Sequence, residues 1–165
     1  MADKKLSALT ELAAVPAADD EFYLRDISES ATNESKKILY ANLSVVRSTV
    51  VEEVRAGASA SGDVSYSGAG FTPTAVLIVA HADDYRSLSW GHGDDAAGQA
   101  VVHLYEIGGT PESNSNLTNI IEVTNDAGST YQKALLKSLD ADGITLTWTK
   151  GGAGAGSVFS ILYLR

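Results

Sequence analysis

The sequence predicts an all-β chain: an antiparallel β-sandwich or jelly-roll-like domain, preceded by a small N-terminal arm with short strands and room for a short helix. Three observations predict it. From Asp63 onward, strand-forming runs of about five to eight residues recur between Gly, Asn and Asp punctuation. Ile144, Leu146 and Trp148 alternate with Thr145, Thr147 and Thr149, the period of a strand with one covered face. The 15 glycines against 3 prolines suit many tight turns rather than a low-complexity linker.

In chain order, residues 1–44 read as an arm of short pieces. Leu6, Leu9, Leu12 and Val15 recur every third residue, which suits one or two helical turns or an extended segment with periodic anchors. Pro16 and the acidic Asp19-Asp20-Glu21 follow, then two strand candidates, Phe22 to Ile27 and Lys36 to Tyr40, able to pair as a hairpin or to add to a neighbour's sheet. Pieces this short bury too little apolar surface to offset ordering costs of about 1 to 2 kcal/mol per residue, so the arm's apolar anchors either fold back on the β-domain or insert against another protein, and the loose pattern favours the second. Residues 45–62 read as a connector. Its run from Val45 to Val54 fits helix or strand, with strand favoured after Thr49, and Gly57 to Asp63 is a break.

The β-domain, residues 63–165, has strand candidates at Asp63–Ser67, Ala75–His81, Ser87–Gly91, Val101–Ile107, Ile120–Thr124, Tyr131–Ser138, Gly143–Thr149 and Ser157–Leu164. Ala75 to Ala80 is apolar at every position, as expected of a central strand covered on both faces. Asp140-Ala141-Asp142-Gly143 predicts a hairpin, with glycine supplying a positive φ.

The net charge of -9 and the scattering of the 12 Lys and Arg residues argue against nucleic-acid binding, which needs clustered cations. The absence of cysteine removes disulfides and thiol chemistry, which leaves packing and self-association as sources of stability. No segment approaches the ~20 apolar residues of a membrane span or reads as a signal peptide, so the expected place of synthesis is the cytosol.

Two segments resemble proteins of tailed-bacteriophage particles. Lys5 to Leu12, Pro16 to Asp26 and Lys36 to Leu43 are similar to an N-terminal module of head decoration proteins, head fibres and tail fibres. Gly70-Phe71-Thr72-Pro73, Gly91-His92-Gly93-Asp94, Leu139 to Trp148 and Leu162-Tyr163-Leu164 resemble a β-domain that recurs in phage structural proteins. The resemblance implies a decoration (cement) protein on the outer capsid surface of the virion, made in the host cytoplasm and assembled as a homotrimer. Its partner would be the major capsid protein or another virion protein. Leu6, Leu9, Leu12, Pro16, Phe22, Leu24, Asp26, Lys36, Lys37 and Leu43 would do the docking. Fibres with this N-terminal pattern continue into long receptor-binding regions that this chain lacks, which favours a capsid cap.

No catalytic, metal or cofactor residue is assigned. His81 precedes Asp83-Asp84 and His92 precedes Asp94-Asp95, a histidine–carboxylate site only if the two loops meet; otherwise both are turns. The Gly-rich stretches at 91–95 and 151–156 lack the lysine and helix of a phosphate loop. Among the aromatic residues, Tyr85, Trp90 and Trp148 are the candidates for stacking on a glycan, as in a host-recognition module of a short head fibre or tail appendage. In that reading two of these rings share one exposed face; in the plainer one they are core.

Overall fold

The computed structural model describes residues 21–25, 35–39, 47–83, 86–124 and 129–165, and the chain divides between Val45 and Val46 into two units. In the first, β1 (Glu21–Arg25) pairs antiparallel with β2 (Ser35–Leu39), with Glu21 opposite Leu39 and Arg25 opposite Ser35. Phe22 and Leu24 therefore lie on β1, and Lys36 and Lys37 on β2. The helical turns expected around Leu6, Leu9 and Leu12 fall outside the described residues, as do Pro16, Asp26, Leu43 and Tyr85.

The second unit is an antiparallel β-sandwich. Its larger sheet runs β3 (Ser48–Arg55), β12 (Ser157–Leu164), β5 (Ala75–Ala82), β6 (Ser87–Gly93), β7 (Gln99–Ile107) and β8 (Thr110–Asn116). The smaller runs β4 (Gly62–Ser67), β11 (Gly143–Gly151), β10 (Tyr131–Asp140) and β9 (Ile121–Thr124). Every pairing is antiparallel among the described strands, and no helix occurs in them.

Period-2 alternation builds the core. β12 turns Phe159, Ile161 and Tyr163 inward, β5 adds Val76, Ile78 and Ala80, and β11 meets them with Ile144, Leu146 and Trp148. Phe159 takes the edge of Tyr66, with centroids 5.4 Å apart, and lies 5.8 Å from the Trp148 ring.

The structure corrects two expectations, adds a strand and details a turn. Residues 45–62 are more than a connector, because Ser48–Arg55 is a full edge strand paired with β12 from Ser48↔Leu164 to Arg55↔Ser157. A strand absent from the sequence reading, β8, pairs with β7 although every one of its seven side chains is polar or proline and almost all are exposed. The hairpin after Asp140 forms as expected, with Ala141 and Asp142 in the turn and Gly143 at a positive φ of 158°; a Cβ at Gly143 would also stand 1.9 Å from the Tyr66 carbonyl oxygen. Asp142 also locks the neighbouring loop by accepting from the Gly70 N–H at 2.6 Å. Finally, β5 is central but covered on one face only: Val76 and Ile78 are buried, whereas Val79 is exposed on the outside of the sheet.

Amide side chains stitch the sheets where backbone pairing stops. β9 covers β10 only as far as Ala134, next to a register shift between Leu136 and Ser138. Gln99 of the facing sheet replaces the missing strand there, accepting from the Leu136 N–H at 2.7 Å and donating to the Leu136 carbonyl at 3.4 Å. Gln132 does the same at the other rim, donating to the carbonyls of Ala56 (3.0 Å) and Ala155 (2.7 Å) and accepting from Arg55 Nε. The buried Arg55 guanidinium completes its environment on the Trp148 ring, 4.4 Å from the centroid, and on the Ala60 carbonyl. Replacing Gln99 by Leu keeps the volume but leaves the Leu136 N–H and C=O without partners. We expect it to cost about 2 to 4 kcal/mol in urea unfolding, with the far-ultraviolet spectrum of the native state unchanged.

Candidate functional site

The chemistry of the β-domain follows from the composition of β6, Ser87-Leu88-Ser89-Trp90-Gly91-His92-Gly93. Its small residues, Ser87, Ser89, Gly91 and Gly93, all face inward, and its large ones all face out. The small face lets β9 lie close. A Cβ on Gly91 would sit 1.8 Å from the Ile120 carbonyl oxygen, and the serine hydroxyls accept from the outward N–H groups of β9, Ser89 from Glu122 and Ser87 from Thr124, each at 3.1 Å.

Beneath this contact lies a buried polar cluster. Ser87 Oγ is 2.7 Å from His103 Nε2, and His103 Nδ1 is 3.9 Å from Glu122 Oε1. Glu122 is held in turn by Lys133 at 2.7 Å and by the Asn116 amide at 2.7 Å. Serine, histidine and glutamate in this order are the residue types of an acyl-transfer relay. The geometry is that of an internal strut. Ser87, His103 and Glu122 are at most 3% exposed, the serine oxygen already accepts from Thr124, and the histidine–glutamate gap is too long for a hydrogen bond. Burial pushes His103 down to about 4, with the Glu122 charge opposing and Lys133 reinforcing the shift.

The outward residues of β6 open a different site. Strand register sets them in cross-strand rows. Val54, Val158, His81, Leu88 and Leu104 form one row; Glu52, Ser160, Val79, Trp90 and Val102 the next; Val50, Leu162, Leu77, His92 and Ala100 the third. Trp90 is 58% exposed at the centre and Val54 75% exposed near one edge. Leu88, Trp90, His92, Val102 and Leu104 line a groove of about 320 Å³, and His92 also borders a hollow of about 550 Å³ that runs past Leu77 to Leu117. The surface can do one thing well: withdraw apolar side chains from water against a flat partner.

Of the aromatic candidates for glycan contact, only Trp90 is on the described surface. Trp148 is 1% exposed between the sheets, on the inward face of β11, so it does not share a platform with Trp90 and its assignment as a contact is corrected. The loops after His81 and His92 leave opposite ends of β6, about 20 Å apart at the rise of a strand. The histidine–carboxylate site that would have joined them does not form, and no group of three potential metal ligands occurs among the described residues.

The sequence reading missed the exposed row mates of Trp90. Their signal was the strict small–large alternation of residues 87–93, but period 2 does not say which set faces the core, and the larger set is the natural choice for the inside. No protein-family model, curated protein or solved structure matches the chain.

The His103 strut should be read out by pH. An unfolded histidine binds a proton near pH 6.5, and the folded one only near 4, so the strut's contribution is complete above about 6.5 and is lost as the pH falls through that window. The loss is on the order of 3 kcal/mol. Thermal unfolding from pH 7 to 4 should show a steeper fall for the native chain than for His103→Gln, which cannot titrate; equal slopes would exclude this origin.

Proposed function

We propose that this chain is a structural protein of a tailed-phage particle, a decoration (cement) protein that binds the outer surface of the head and stabilises it. In this reading it is not an enzyme. The single observation that carries an assembly role is the apolar outer face of the six-stranded sheet, which spans β3, β12, β5, β6 and β7 and centres on an exposed tryptophan. The phage setting rests on the resemblance of Lys5 to Leu43 and of the β-domain segments to virion proteins.

The parts then divide the work. Residues 1–44 attach to the major capsid protein or another virion protein, and the rigid sandwich carries the contacts outside the shell. A homotrimer, implied by the resemblance, gains avidity because the second and third arms bind at the effective concentration set by the first. The alternative, glycan recognition by a short head fibre or tail appendage, retains Trp90 as its one described aromatic contact. The neighbours of Trp90 in this groove are mainly aliphatic, Leu88, Val102 and Leu104, with His92 the one polar side chain, and this favours a protein partner, since sugar sites place several hydrogen-bonding groups beside the ring.

Capsids stripped of the protein should co-sediment with the full chain and not with a form lacking residues 1–44. Equal binding of both forms would remove the docking role of the arm. Glycan-array binding lost in Trp90→Ala would favour the appendage reading instead.

A further inference from the structure

We infer that the outer face of the six-stranded sheet, centred on Trp90, is the surface through which copies of this chain associate. The inference rests on the assembly reading above and names the partner of that face: a second copy.

Area is the first argument. The seven apolar side chains exposed on this face, from Val50 and Val54 across to Val102 and Leu104, leave on the order of 700 Å² of surface, interrupted on β3 by the exposed Glu52 between Val50 and Val54. A monomer's largest patch is commonly about 300 to 600 Å², whereas a stable interface takes about 800 Å² from each partner. The half-buried Leu77, Val158 and Leu162 between them supply the remainder.

Sequence pattern is the second. β5 is apolar at every position from Ala75 to Ala80, the composition of a strand with cover on both sides, yet the smaller sheet covers only one. Something must lie on Leu77 and Val79 for that composition to make sense.

Charge selects the occupant. The chain carries -9, but the cross-strand rows between β12 and β7 contain no Asp or Glu; Glu52 stands at the β3 edge. A basic partner would be met by carboxylates. Two copies of an acidic chain approach most easily where neither presents them, because like charges brought together at a contact oppose it. An apolar sheet face also needs no separate complementary surface to pack against its own copy.

The test uses the full chain in solution. Sedimentation across micromolar concentrations should give a multiple of the monomer mass. Trp90→Ser, which removes the central ring, and Val102→Glu, which places carboxylates face to face, should each raise the dissociation constant by at least roughly tenfold. Both positions are exposed, so circular dichroism should stay native. A fluorescence reading on the unmutated chain gives an independent check. Trp148 is buried in either state, so acrylamide should quench Trp90 in dilute monomer and lose it on association. A single copy at every concentration overturns the inference. So does an assembly whose mass neither variant changes, or a monomer in which Trp90 is already shielded, which would assign the face to this chain's own first 46 residues. Capsid co-sedimentation is scored separately, so a chain that associates through this face without binding heads defeats only the head-decoration reading.

Discussion

β9 has a hydrogen-bonded neighbour on one side only, and the fate of its other N–H groups governs how the sandwich closes. In an open edge strand those donors face water. Here Ser87 and Ser89 reach across from the opposite sheet and accept them, and the bare Gly91 backbone allows the approach. All four residues of β9 are buried as a result. The small residues that make this possible fill the inward positions of β6, so its bulk, Leu88 and Trp90, is turned out. One packing constraint thus produces both the closed rim and the apolar exterior.

The same constraint explains the polar interior. With small side chains on β6, the space beside it is taken by His103 and Gln99 of β7 and by Glu122 of the facing β9: His103 meets Ser87 in its own sheet, Glu122 meets Lys133 in its own, and Gln99 reaches across to Leu136. Most of these polar groups satisfy one another, but His103 Nδ1 has no hydrogen-bond partner among the described residues. That unpaired ring nitrogen and the loss of water around the ring are two sides of one cost, offset in part by the bond to Ser87, which the Thr124 N–H of β9 holds in place.

Strands with clear alternation were legible in the sequence. Ile144 to Trp148 and the Asp140 hairpin form where period and turn chemistry put them, and the β-sandwich follows. Less legible were elements whose pattern is set by a neighbour. β8 carries no apolar residue because both of its faces are wet, and it is held by its ladder to β7. Arg55 and Gln132 gave no signal as partners, being 77 residues apart in the chain. The inward or outward choice on β6 was beyond periodicity, since a face of serine and glycine reads as solvent-facing until a strand is known to press on it. For the arm, β1 and β2 pair as a hairpin, while the docking role of its leucines stays with the resemblance.

The polar makeup of β8 also bears on what kind of assembly this chain can build. A free sheet border invites endless strand addition, and that border here is Thr110-Pro111-Glu112-Ser113-Asn114-Ser115-Asn116. Pro111 offers no N–H, Glu112 brings charge, and no side chain offers grease to a newcomer. The opposite border, β3, carries Glu52 and Glu53. Growth from edge to edge, the route to fibres, is thereby discouraged at both borders of the larger sheet, and only its broad face is left open to a contact that does not propagate strand by strand.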